Sequence, residues 1–336
     1  MSDFTHRGMN FWGCLGISCF GICVSAAGLF IAFIIILGSM IKGFAPTVPT
    51  HSEETPGVAV IEVRGVITAR EGTGFSSENI AAAEIVCGNL DSAITDPAIW
   101  AIVLLLDTPG GEVVASDLIY RKVLEAREAG IPVVACMETT AASGGYYIAA
   151  GCDKIFAHPY TITGSIGVIV SGLKYHELFD NIGLAEESFT SGDNKSMLSG
   201  GKPTSDDAAN IMTEMIDDIY SGFVEVVAQG RGIDAAVIRS GAIGDGRIFT
   251  GKQAKAIKLV DELGGENEAI AAAAELGELD EGFEIYHYTL EPRWSRMIQE
   301  FLSFRAAPDT LKVELPGSPA EQLVQMNRGK PYYLMY

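Results

Sequence analysis

Where Ala141-Ala142-Ser143-Gly144-Gly145-Tyr146-Tyr147 crowds a serine among small residues, the residue types alone suggest chemistry. Small neighbours let a backbone come close to a substrate around a reactive hydroxyl, so Ser143 is a candidate nucleophile. Taken alone, a serine at a helix start is more often a cap. Upstream, Asp107-Thr108-Pro109-Gly110-Gly111 follows the apolar run Ala101 to Leu106. A proline and two glycines at a strand end let the backbone turn and expose N–H groups. If Gly111 and Gly144 offered theirs to one point, a carbonyl held there would be polarised as Ser143 attacked it.

A serine nucleophile needs a proton acceptor. The histidines are His6, His51, His158, His176 and His287, and none sits in a triad-like local motif. His158 stays open as a base, because triads assemble in space. Lysine serves instead when burial favours its uncharged amine. Downstream lysines are Lys154, Lys174, Lys195 and Lys202, of which Lys195 stands in the Gly- and Ser-rich loop SFTSGDNKSMLSGG.

These residues need elements to position them. VAVIEVRGVI and WAIVLLLD are short apolar runs that suit buried strands, and SDLIYRKVLEAREAG after the second suits a helix. IPVVACM, the Ala-rich AASGGYYIAAG and DKIFAHPYTITGSIGVIV continue the alternation, which predicts an α/β fold around a largely buried sheet. From Thr204 to Gly232, capping residues, helical apolar spacing and a closing glycine predict one long helix. Shorter helices are expected at 252–258, at 266–277 and from Trp294 to Phe301.

Composition narrows the partners. Asp and Glu outnumber Lys and Arg by 43 to 23, a formal charge of −20, which repels phosphate backbones and argues against nucleic acid. The six cysteines form no C-x-x-C pair, so neither a disulfide framework nor a zinc site is expected. Cys136 and Cys152 read as buried small residues.

No residue from Phe11 to Ile41 is charged. At about 1.5 Å per residue this run exceeds the roughly 30 Å hydrocarbon core of a bilayer, so an uncleaved membrane anchor is expected. A cleaved signal peptide would have a shorter apolar region closed by a small-residue site. Arg7 and Lys42 flank the run symmetrically and leave its orientation undecided. The stretch GFAPTVPTHSEETPG then reads as a tether.

In order, VLLLDTPGG, TTAASGGYYIAAGCDKIFAHPYTITGSIGV, SGDNKSMLS, GRGI and GRIFTGKQAKAIKLVDELGG closely resemble the signal peptide peptidase A family of membrane-bound serine proteases, over about Val58 to Gly265. The resemblance implies a Clp-protease/crotonase-type spiral of ββα units. It implies Ser143 as nucleophile, Lys195 as general base, the backbone N–H groups of Gly111 and Gly144 as oxyanion hole, and Ser165 as the hydroxyl that orients the lysine. Members often carry an acidic residue after the catalytic lysine and S-P-x-R beyond it; here Ser196 and SGGKP stand there, with Lys202 near the arginine's place.

The expected organisation is an N-terminal tail (1–10), a transmembrane anchor (11–42), a linker (43–57), a serine protease domain (58–305) and a C-terminal tail (306–336). The expected activity is a membrane-anchored Ser-Lys endopeptidase without metal or organic cofactor, degrading remnant signal peptides and other hydrophobic or unstructured peptides. The resemblance further implies an extracytoplasmic catalytic domain and homo-oligomers in which neighbouring subunits supply serine and lysine. The rival readings are a catalytically silent membrane scaffold of the same fold and a crotonase-like acyl-CoA enzyme, the latter lacking a basic patch for nucleotide phosphates. The terminal PYYLMY, apolar with a free carboxylate, resembles a cleaved peptide, so it is either a product-like occupant of a neighbour's groove or a strand added to a sheet edge.

Overall fold

A computed structural model describes residues 55–70 and 80–288, with the backbone of 332–334. The apolar run, most of the linker and the helix expected from Trp294 to Phe301 lie outside the described residues. Among the described residues no helix is long and apolar enough to cross a membrane.

The run VAVIEVRGVI forms two strands rather than one, β1 (Gly57–Arg64) and β2 (Val66–Thr68). Gly65 separates them at φ +86°, a conformation that glycine adopts without a side-chain clash. β3 (Ile80–Ala82) and α1 (Ala83–Thr95) follow. The pattern then repeats: β4 (Ile99–Thr108), β5 (Gly110–Glu112) and α2 (Val113–Glu128). Both rounds send a long strand into one sheet and a short one into another before a helix returns the chain.

β6 (Val133–Ala142) begins the next round, but a short helix, α3 (Gly144–Ala149), takes the place of the second strand. β7 (Lys154–Ala157) and β8 (Ile162–Gly164) come next. The chain then makes an excursion through α4 (His176–Ile182) to the long α5 (Asp206–Arg231). Ser205 caps α5 by accepting the Ala208 N–H, and Gly232 closes it at φ +62°. α6 (Ala235–Ser240), β9 (Ile248–Thr250), α7 (Gly251–Ala256), β10 (Glu262–Leu263), α8 (Glu266–Leu276), β11 (Glu284–Tyr288) and β12 (Tyr332–Leu334) complete the described elements.

The larger sheet runs β10-β7-β6-β4-β1-β11, with parallel pairing throughout that path. β8 joins it beside β6, and β9 pairs antiparallel with β8. The smaller sheet runs β12-β5-β2-β3. The fold is thus mixed α/β around a parallel sheet. β4 is buried along almost its whole length, which is why WAIVLLLD reads as a continuous apolar run. One face of the large sheet packs on α1, α2, α3 and α5 through residues such as Leu90, Leu104, Ile119 and Phe223, and the other on α8 through Ala269 and Ala273. Cys136 and Cys152 are buried as expected, and desolvation pushes both thiols far up, that of Cys136 to about 12.

Candidate active site

Ser143 sits where β6 hands over to α3. It occupies the cap position of that helix but makes no side-chain cap bond, with φ +54° and ψ −116°. Such a backbone is rare outside glycine and costs on the order of 1–3 kcal/mol, so the surrounding structure must impose it. The Ser143 N–H donates to the Gly164 carbonyl at 2.8 Å, and the Ser143 carbonyl accepts from the Tyr147 N–H at 2.9 Å. The hydroxyl is fully buried and, among the described residues, makes no hydrogen bond. A buried hydroxyl without a partner is expensive as a structural element, and it is what an unengaged nucleophile looks like.

Gly111 and Gly144 lie together. A Cβ built on Gly144 would come within 3.3 Å of the Gly111 nitrogen and would overlap the Ser116 hydroxyl; one on Gly111 would overlap the Ile67 carbonyl of β2. A Cβ on Gly145 would meet Thr108 Cγ2 at 2.6 Å, and one on Gly151 the Tyr120 ring at 2.8 Å. The small residues around Ser143 therefore make room for the protein's own strand ends and rings. Thr108 also accepts the Gly110 N–H, which fixes the turn between β4 and β5.

The two tyrosines root the helix. Tyr146 is buried and donates its hydroxyl proton to the Leu259 carbonyl at 2.9 Å, in the loop before β10. Tyr147 donates to Asp117 Oδ1 of α2 and packs edge-on against Tyr120 and Phe223. Ser165 is nearly buried at φ +51°, one residue beyond the Gly164 carbonyl that holds Ser143, and its N–H donates to the Arg247 carbonyl at 2.8 Å.

Lys195 is not part of this shelf. It lies on the exposed 3-10 turn Asp193–Ser196, and among the described residues its amine makes no hydrogen bond or ion pair. The turn belongs to an excursion stitched to itself. Lys174 donates to the Ser199 and Lys202 carbonyls, Glu186 accepts from Tyr175 and Ser199, and the Lys202 amine meets the Ser196 hydroxyl. Leu173, Leu178, Ile182, Leu184 and Leu198 are exposed on it, and Phe189 is 90% exposed. His158 is exposed too and accepts the Tyr160 N–H, away from the serine hydroxyl.

β12 pairs antiparallel with β5, Tyr333 opposite Gly111, so the C-terminal strand covers the edge of the strand that carries one candidate oxyanion donor. Of the two readings of the terminus, the added edge strand describes this pairing, within the same chain.

A profile of peptidase family S49 matches residues 125–280, a stretch that includes Ser143, Ser165 and Lys195. A putative signal peptide peptidase of Enterococcus faecium is 39% identical over 175 residues, covering 52% of this chain and 50% of its own. A putative protease of Synechocystis is 43% identical over 180 residues, 54% of this chain and 64% of its own. A putative protease of Methanocaldococcus jannaschii is 32% identical over 221 residues, 66% of this chain and 70% of its own. The chain belongs to peptidase family S49. Its alignments span only half of the Enterococcus relative and 64% of the Synechocystis one.

Within this S49 chain, several residues that build the shelf carried no sequence signal. Thr161 Oγ1 lies 3.1 Å from the Met137 carbonyl and 2.5 Å from that of Glu138, and Thr163 Oγ1 donates to the Ala141 carbonyl at 2.6 Å. The alternation of PYTITG is the one trace of them, since it puts both threonines on the same side of the strand.

Proposed function

We propose that this S49 protein is a membrane-anchored serine endopeptidase in which Ser143 is the nucleophile and Lys195 of a neighbouring subunit the general base. The observation that carries the proposal is the buried Ser143 hydroxyl without a partner, on a backbone held at positive φ next to Gly144, whose own Cα lies beside the Gly111 nitrogen. Uncharged Lys195 accepts the Ser143 proton as Oγ attacks the scissile carbonyl. The N–H groups of Gly111 and Gly144 stabilise the oxyanion. The ammonium then gives its proton to the leaving amine, and the amine so regenerated activates water against the acyl-serine.

The mechanism needs Lys195 to be brought to Ser143 by a neighbouring copy. The apolar side chains on its excursion supply the means: a surface carrying Leu173, Leu178, Leu184 and Phe189 is an interface in search of a partner. A neighbouring copy that packs there excludes water from Lys195, favouring the uncharged amine, and brings it to Ser143, with Ser165 orienting it. In a ring of such copies, each subunit's β-β-α rounds form the turns of a spiral, and each presents its one excursion to a neighbour.

The substrates are extended peptides that add to β5 in the place of β12, by backbone pairing. An anchor over 11–42 would tether the chain to a bilayer, which suits hydrophobic peptides left after secretion, in keeping with the name of the Enterococcus relative, a putative signal peptide peptidase. On the family resemblance, and not on the anchor's flanking charges, the groove is assigned to the side away from the cytoplasm.

The test is labelling with a fluorophosphonate probe and turnover of an unstructured hydrophobic peptide. Wild-type protein should be labelled, while Ser143→Ala should not be and should lose turnover by about 10^4-fold or more. Unlabelled wild-type protein would favour the silent scaffold. Retained turnover in Lys195→Ala with loss in His158→Ala would move the base to histidine.

A further inference from the structure

The nucleophile strand changes register just before it reaches Ser143. From Ile102↔Val133 to Leu106↔Met137, β4 and β6 pair in one parallel register; the next pair is Thr108↔Ala141. One residue of β4, Asp107, therefore faces three of β6, Glu138, Thr139 and Thr140. β4 ends at Thr108 and the chain passes to β5, which carries Gly111 in the smaller sheet, while Ser143 follows the last residue of β6. The two inserted residues therefore lie in the last stretch of β6 before Ser143, opposite the last stretch of β4 before Gly111. At the same point β6 exchanges its other neighbour, pairing with β7 up to Met137↔Ala157 and with β8 from Thr140↔Ile162.

A bulge leaves backbone groups without ladder partners, and something must engage them. Here Asp107 Oδ1 accepts the Thr140 N–H at 3.0 Å, while the Thr161 hydroxyl lies on the Met137 and Glu138 carbonyls. The Asp107 carboxylate is in turn held by charge. Arg64 Nη1 lies 3.8 Å from Asp107 Oδ2 and 2.8 Å from Glu138 Oε2, and Arg64 Nε bonds Glu62 at 2.8 Å. One guanidinium ties the C-terminal ends of β1 and β4 to the middle of β6, at the register shift.

We infer that Asp107, through its bond to the Thr140 N–H, is a positioning residue that locks the register shift and so sets the Ser143 hydroxyl against the Gly111 and Gly144 amides. The inference rests on the proposed role of Ser143. Asp107 touches no reacting atom and acts three residues away along the strand. Misplacement of a nucleophile by about 1 Å costs on the order of 10²-fold in rate.

The test uses the full chain and the second-order rate of fluorophosphonate labelling, alongside thermal melting. Asp107→Ala should label about 10²-fold more slowly. Asp107→Asn keeps an acceptor oxygen for the Thr140 N–H and should recover to within about threefold of wild type, a gap of well under 1 kcal/mol. Thr161→Val, nearly isosteric, should slow labelling by about tenfold as the other half of the lock. Labelling of Asp107→Ala at the wild-type rate overturns the inference, as does an Asp107→Asn rate as low as that of Asp107→Ala in a folded protein. Should Asp107→Ala fail to fold, the Asp107→Asn and Thr161→Val rates decide alone, and a wild-type rate in Thr161→Val then overturns the lock. Failure of wild-type protein to label would instead sink the Ser143 reading, so the two failures are told apart.

Discussion

The shelf around Ser143 and the excursion that carries Lys195 are built on opposite principles. Ser143, Thr108, Ser116 and Thr163 are fully buried, each backbone turn is pinned by a named bond, and glycines stand where a Cβ would strike a neighbour. The excursion is held together by its own polar contacts and turns its apolar side chains to solvent. A nucleophile and an oxyanion hole must be preorganised, and in the proposed mechanism one chain builds both. The proposed base, by contrast, sits where a second copy can reach it, so on this proposal assembly is the switch between an inert shelf and a working site.

The contrast can be broken from either side. The largest effect is expected on the excursion: Phe189→Asp should abolish assembly and lower peptide turnover by about 10²-fold or more while leaving the melting temperature of the single chain nearly unchanged, since a surface substitution costs within about 0.5 kcal/mol. Sedimentation and turnover together check it; full activity in a monomer would remove the excursion from the site. On the shelf, Gly111→Ala should cost about 10²-fold in turnover and 1–3 kcal/mol in stability, because the new methyl collides with the Ile67 carbonyl. Denaturant melts and labelling rates measure the two parts.

Smaller effects sharpen the picture. Removing residues 331–336 should free the β5 edge and raise turnover of long peptides several-fold, with KM falling more than kcat rises. Unchanged kinetics would make β12 a passive edge strand. Glu186 is held below its ordinary value of 4.5, chiefly by hydrogen bonds from Ser199 and Tyr175. A depressed carboxylate stabilises the fold above its unfolded pKa, and that stabilisation is lost as pH falls through the lower, folded value. The excursion should therefore loosen as pH falls below 4.5, ahead of the shelf, as hydrogen exchange of residues 173–202 would show.

The ends of α5 were legible because capping chemistry is local: Ser205 and Gly232 stop the helix whatever surrounds it. The strand β6 was legible only as far as Met137, where its apolar run ends; the rest, Glu138 to Ala142, is strand because Asp107, Thr161 and β8 engage it from elsewhere in the chain. Gly65 hid a break inside an apparently single run for the opposite reason, its positive φ being invisible in a hydropathy pattern. For the candidate site, Ser143 and the two glycines carry a recognisable local pattern. Lys195 does not, since an exposed lysine on a polar turn acquires a role only from what covers it. Its candidacy came from the resemblance to a family, and its place in this chain is consistent with the site being shared.

Subunit complementation tests that sharing most directly. Ser143→Ala and Lys195→Ala proteins, each inactive alone, should be dissociated, mixed in equal amounts and reassembled. If neighbouring subunits supply serine and lysine, random assembly gives about a quarter of the sites both wild-type residues, and turnover should return to about a quarter of the wild-type level. No recovery in mixed assemblies that demonstrably contain both variants would contradict a site built across two subunits.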